Sequence, residues 1–257
     1  MGRTRQGLPV SLQVGRVIIY GIHSCKYAIT RSASDVLHVY VLDKKQVPSW
    51  ISVIPKDVVS YVSEDVMVRM LPKHAVHQGI AIKLRNITSR DISALSDTPQ
   101  NCVVVMLDGV TDPHNVGAII RTAAAFGVSG IILPERSSCD INGTVVKAAS
   151  GGVEMVPLYI VGNLARTIEE LKSYGFWVVA FSEAGAIFPH ELDLTGKVCL
   201  IFGSEGSGIR KRQIDNSDFV AKLPTNQDFT TLNVSATAAI AFYEVARQGG
   251  FKLQRDC

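Results

Sequence analysis

The sequence has no apolar run approaching the roughly 20 residues that a membrane-spanning helix requires. Its start, MGRTRQGLPV, is basic but has no apolar core segment, so no secretory signal is expected. Gly2 is no myristoylation signal either, because Gln6 stands where that motif places Ser or Thr. The expected location is therefore cytoplasmic, with no membrane partner. Cysteine is sparse: Cys25, Cys102, Cys139, Cys199 and Cys257 show no CxxC and no Cys/His ligand spacing, which speaks against structural zinc and a disulfide framework. His23, His74 and His77 also lack metal spacing, and no metal is expected. Internal repeats and low-complexity tracts are absent. What remains is ordinary globular material, 47% hydrophobic and 19% charged, at a length of 257 residues that fits one large domain or two modest ones. The net charge of +3 permits an anionic partner without requiring one.

Hydrophobic periodicity lapses between residues 86 and 101, where Ser, Thr, Asp and Pro collect, and this stretch reads as a linker. Ahead of it, residues 16–85 read as strand-helix-strand-helix-strand, a small α/β unit, with residues 1–15 as a flexible basic tail containing Arg3 and Arg5. Behind it, residues 102–257 alternate more clearly. CVVVML, GIILP, MVPLYI, FWVVAFS, KVCLIF and FVAKLP have strand character, and helical segments separate them. Asn163 and Gly175 bracket one such helix, NLARTIEELKSYG. This alternation predicts a parallel sheet covered on both faces, whose ligands gather at the carboxyl ends of the strands.

Three sequence stretches fall in such post-strand loops. The first is DGVTDPHNVGAIIRTAAAFG, where a helix is expected from Val116 to Phe126 with Asn115 as its cap. Gly117 costs that helix about 1 kcal/mol relative to Ala, which implies a close approach to its backbone. Arg121 is the helix's single charge, off the buried stripe, and a structural salt bridge explains it slightly better than a ligand contact. The second stretch is LIFGSEGSGIRKR. It has no Lys after its glycines for a Walker A loop and is out of register for GxGxxG, so neither a nucleotide-phosphate cradle nor a dinucleotide-dependent oxidoreductase is supported. Its glycines suit a sharply bent loop that admits a flat ligand, and Glu205 is a lone carboxylate within it. Arg210, Lys211 and Arg212, the densest basic cluster, form either a solvated helix face or a contact to a nucleic-acid backbone. The third stretch is LPTNQDFTTLNVSATAAIAFYE, where Asn233 and Ser235 head an Ala-rich helix.

DPHNVGAIIRTA, GSEGSGI and TLNVSATAAIAFYE, in that order over residues 102–245, resemble the three motifs of the SpoU/TrmH-type RNA ribose 2′-O-methyltransferases of the SPOUT class. YGIHSCKYAI and HQGIAIKL are similar to the amino-terminal, ribosomal-protein-like unit of the branch that methylates guanosine in bacterial 23S rRNA. The resemblance implies a SPOUT domain over residues 102–257 with a deep trefoil knot, an exception to unknotted topology. It also implies S-adenosylmethionine bent within the knot, a homodimer whose site draws on both subunits, and residues 16–85 as an RNA substrate-binding unit. The implied substrate is structured RNA, with 23S rRNA favoured over tRNA, and not DNA. A non-catalytic RNA-binding relative is the other reading, opposed by the presence of Arg121, Glu205 and Asn233.

By carry-over, Arg121 matches the catalytic arginine, with Asn115, Glu205, Asn233 and Thr231 in support. Gly203, Leu223, Leu232, Asn233 and Ser235 match the surroundings of the cofactor. Two positions depart from the family pattern: Thr231 replaces a usual Ser, and Gln227 a usual Gly in the preceding loop. Arginine is effectively always protonated in proteins, so two roles are open for Arg121. It either binds the phosphate beside the target ribose and stabilises the forming alkoxide, or acts as a base after local loss of its proton.

Overall fold

The computed structural model describes residues 17–42, 48–71, 75–84, 89–141, 143–226, 228 and 230–249. The expected basic tail, His74, Gln227 and Cys257 lie outside the described residues, as does the His23 side chain.

The first half forms a four-stranded sheet from β1 (Val17–Tyr20), β2 (Val36–Val41), β3 (Val59–Tyr61) and β4 (Ile80–Leu84), in the order β1-β4-β2-β3. Helices α1 (Ile22–Ser32) and α2 (Glu64–Met70) accompany it. Periodicity anticipates three strands here; β3 is the addition. Its three residues are too few to show alternation, and they precede α2 directly in sequence. Parallel pairing with β2, Val39 opposite Val59, makes them a strand.

Residues 89–101 are not a free linker in shape. Arg90 N donates to Leu158 O at 2.8 Å, Ser89 Oγ accepts from Ile160 N at 2.8 Å, and Leu95 is 1% exposed. The stretch is seated on the neighbouring sheet because these groups satisfy backbone positions that the sheet edge leaves open.

The second half carries β5 (Cys102–Asp108), α3 (Pro113–Phe126), β6 (Gly130–Pro134), α4 (Gly143–Ala149), α5 (Gly152–Met155), β7 (Leu158–Val161), α6 (Leu164–Ser173), β8 (Trp177–Phe181), β9 (Lys197–Gly203), α7 (Lys211–Asn216), β10 (Phe219–Ala221) and α8 (Val234–Arg247). Its six strands are all parallel, in the order β10-β8-β9-β5-β6-β7. Both faces are covered, as the continuous apolar runs predict. Val103, Val105 and Leu107 of β5 enter one core with α3, α4 and α8, while Cys102, Val104 and Met106 enter the other with α6. The first of these cores runs on without a break into the four-stranded sheet through Ile19, Cys25 and Ile29.

Gly117 has its close neighbour: a methyl group there would overlap Ala148 and come within 2.7 Å of Val145 O, so the glycine lets α4 lie against α3. At the same junction Glu154 of α5 is half-buried near Cys25, its Oε2 shielded from water and without a hydrogen bond, and this partial burial pushes its carboxyl up to about 6. The folded chain therefore holds this proton more tightly than the unfolded chain. The associated stability is complete below the ordinary carboxylate range and is lost as pH rises through 6. Glu154→Gln is expected to stabilise the protein at pH 7 by about 2 kcal/mol, with the difference vanishing near pH 4. Urea denaturation at the two pH values checks this.

Candidate active site

β5 and β9, the central pair, end side by side with Asp108 opposite Gly203. Strand order diverges here, since β5 leads outward to β6 and β7 on one side while β8, β9 and β10 occupy the other. Such a switch point leaves a crevice beyond the strand ends. The loops after β5, β9 and β10 converge on it.

The β5 loop enters α3 earlier than expected. Asp112, not Asn115, is the N-cap, its Oδ1 accepting from His114 N at 3.0 Å, and Pro113 takes the first helical position where its missing N–H is no loss. Asn115 is thereby moved inside the first turn and freed from capping. It is 7% exposed, and its Nδ2 donates to Glu205 Oε1 at 3.0 Å.

The β9 loop turns back on itself. Ser204 N donates to Gly208 O at 3.2 Å and Gly208 N to Ser204 O at 3.0 Å. Gly206 and Gly208 adopt φ of 93° and 65°, a region costly for residues with a side chain. Gly203 lies directly under the returning chain, where a methyl would overlap the backbone of Gly208 and Ile209. The close approach that these glycines permit at Gly203 is thus the protein's own backbone.

The β10 loop supplies Asn233, the N-cap of α8. Its Oδ1 accepts from Ser235 N at 2.9 Å and also from Ser235 Oγ. Its Nδ2 donates to Asn115 Oδ1 at 2.9 Å and to Glu205 Oε1. Asn115, Glu205 and Asn233, distant in sequence, thus form one hydrogen-bonded triangle that ties the three loops together. Ser235 belongs to the α8 cap and lies outside the cavity lining.

Beside the triangle opens a cavity of about 980 Å³. Phe181, Phe202, Leu223 and Leu232 supply apolar wall, and the glycine loop and residues 230–233 supply backbone and polar groups. Gly203, Thr231 and Asn233 also line it. Glu183, which sequence reasoning passes over, reaches across its mouth, where Thr230 Oγ1 donates to Oε2 at 3.2 Å. Nothing marks Glu183 in sequence except its place just after an apolar strand.

Arg121 is not brought to this cavity. It is exposed on α3, forms no ion pair among the described residues, and is absent from the lining, so the salt-bridge reading is not what the structure shows. Arg210 departs from expectation in the opposite direction: its N donates to Asp108 Oδ2 at 2.9 Å, and its Nε stands 3.2 Å from Oδ1. Lys211 and Arg212 are exposed at the start of α7 without ion pairs among the described residues.

Residues 102–243, which contain every loop of this site, match the model of the SpoU rRNA Methylase family. The chain belongs to that family. A 23S rRNA (guanosine-2′-O-)-methyltransferase RlmB from Yersinia pestis is 34% identical over 242 residues, covering 91% of this chain and 98% of that protein. Among solved structures, the SpoU methyltransferase AviRb from Streptomyces viridochromogenes, in complex with AdoMet, is similar at TM-score 0.80 and 18% identity, covering 91% of each chain. An AdoMet-bound rRNA methyltransferase from Sinorhizobium meliloti is similar at TM-score 0.75 and 25% identity, covering 90% of this chain and 87% of that one. The parallel α/β sheet of this SpoU chain therefore accords with the fold of those structures, and the polar triangle occupies the crevice at its switch point.

Proposed function

We propose that this protein is an S-adenosylmethionine-dependent RNA ribose 2′-O-methyltransferase acting on a guanosine of 23S rRNA. The observation that carries the reading is the triangle of Asn115, Glu205 and Asn233 at the edge of the cavity, built from all three motif loops. The cavity's make-up fits the cofactor. Leu223 and Leu232 offer apolar surface to a flat base, the glycine loop forms part of the wall, and Glu183 and Glu205 offer negative charge to a cationic ligand. When bound, S-adenosylmethionine supplies the activated methyl group.

The residues of the chain position and activate the alcohol. Two amide donors on Glu205 Oε1 hold that carboxylate in one orientation, which lets it orient a hydroxyl or a guanidinium. Thr231 presents a hydroxyl at the rim in place of the family's Ser. Arg121 serves the phosphate beside the target ribose and the oxygen that develops negative charge there. Because it is exposed and outside its own chain's lining, it acts in a homodimer, at the partner's cavity. The proposal includes the SPOUT knot, which the family match over residues 102–243 supports. It also assigns residues 16–85 to RNA binding, with 86–101 as the boundary.

Incubation with S-adenosylmethionine and rRNA from cells lacking the protein is expected to yield one alkali-resistant guanosine ribose in 23S rRNA. A modified site in tRNA overturns the substrate, and a methyl group on a base overturns the reaction. Asn233→Asp separates the triangle from the cap: aspartate caps a helix as well as asparagine does, but here it sets a carboxylate against Glu205. Turnover is expected to fall by about 10²-fold with α8 still capped and the melting temperature lowered by the like-charge contact, read by methyl-transfer assay beside thermal denaturation.

A further inference from the structure

The glycine loop carries Glu205 at its tip, and its position is set by what holds its two ends. At the leading end Gly203 continues β9 in register with Asp108. At the trailing end Arg210 returns to the same Asp108, with its backbone N on Oδ2 at 2.9 Å and its guanidinium Nε 3.2 Å from Oδ1. Asp108 is 1% exposed, and Oδ1 has no hydrogen bond, so Arg210 is what compensates a carboxylate withdrawn from water. The arginine side chain remains 54% exposed, which leaves it at the surface with a fixed inner partner. Asp108 also begins the segment that carries Asn115, and Gly109 places that segment against Ser204, where an added methyl would lie 3.7 Å from Ser204 Cβ. One residue at the end of the central strand thus binds the foot of the glycine loop to the loop whose Asn115 grips Glu205.

We infer that Asp108 and Arg210 are positioning residues, a latch that sets the register of Glu205 against Asn115 and Asn233. Arg210 is therefore withdrawn from the basic cluster read as contacting RNA, which leaves Lys211 and Arg212. The latch rests on the methyltransferase reading for its catalytic consequence, though not for its effect on the loop.

Three variants, Asp108→Asn, Arg210→Gln and Arg210→Lys, test the latch by four measurements: amide hydrogen exchange, cofactor affinity by calorimetry, kcat against KM for RNA, and the salt dependence of RNA binding. Asp108→Asn is expected to speed exchange over residues 204–210 and to lower kcat by about tenfold or more, because the ion pair with Arg210 is lost at a buried site and an amide NH2 replaces the oxygen that faces Nε. KM for RNA and the salt slope stay unchanged. Arg210→Gln is expected to do the same more weakly, since its backbone N–H still reaches Asp108, and Arg210→Lys to restore part of the loss by returning the charge. The double variant is expected to add little to Asp108→Asn alone.

The inference is overturned if Arg210→Gln weakens RNA binding and flattens its salt slope by about 0.7, one phosphate's share on a single strand, with loop exchange unchanged. It is also overturned if Asp108→Asn lowers only the melting temperature. Should Asp108→Asn not fold, the half-exposed Arg210 variants decide alone by the same outcomes. Wild-type protein that binds no S-adenosylmethionine overturns the methyltransferase reading, while loop exchange still decides the latch.

Discussion

Arg121→Ala is expected to lower turnover by about 10²- to 10³-fold while leaving the melting temperature and cofactor affinity unchanged, because the loss falls on charge stabilisation in the transition state. The pattern follows from where the residue sits. Arg121 is exposed on α3, has no ion pair among the described residues, and does not line the cavity of its own chain. Its removal therefore takes no ion pair and no buried side chain from the fold. Arg121→Lys is expected to recover little, since an ammonium cannot reproduce the planar fork that grips a phosphate. Near-normal turnover by Arg121→Lys would overturn both roles considered for the guanidinium. Mixed dimers decide where it works. Arg121→Ala and Glu205→Ala are each expected to be inactive alone, whereas a heterodimer of the two regains one working site if Arg121 serves its partner's cavity. Silence in the heterodimer would place Arg121 in its own chain's site instead.

Gly203→Ala is expected to abolish cofactor binding and to cost about 3 kcal/mol of stability, at the upper end for forcing an extra methyl into a packed site. The added carbon would overlap the backbone of Gly208 and Ile209, which cannot swing aside as a flexible side chain can. The loop that carries Glu205 would have to lift from the strand end. Gly206→Ala provides the control: nothing lies within 4 Å of a methyl there, and only its φ of 93° is unfavourable. Its cost is expected at about 1 kcal/mol, with cofactor binding retained. Thermal denaturation and calorimetry on the two variants measure the contrast. Equal effects would show that conformational freedom, rather than close approach, explains Gly203.

Much of this architecture is legible from local pattern. Continuous apolar runs such as CVVVML announce strands buried on both faces, and each does become a parallel strand. Asn163 caps α6 as read, accepting from Arg166 N at 3.2 Å, and Gly175 follows it at φ 85°. Where reading fails, competing local signals are the cause. Asn115 and Asp112 are both good caps within four residues of the expected helix start at Val116, and Pro113 decides for Asp112. Polar composition marks residues 86–101 as a linker without showing that Ser89, Arg90 and Leu95 within it contact the neighbouring sheet. Composition reports the absence of periodicity, not the absence of partners.

The sequence by itself determined the class of this protein, because strand runs, helix caps and the three motif stretches are properties of neighbouring residues. It placed Asn115, Glu205 and Asn233 each just beyond a strand. Only the tertiary structure decided that they bond to one another, that Arg121 stands apart from them, and that Arg210 belongs to Asp108. Those outcomes depend on strand order. β9 inserts beside β5 and brings together residues some 90 to 120 positions apart, and nothing in the local chemistry of either segment encodes which strand will be its neighbour.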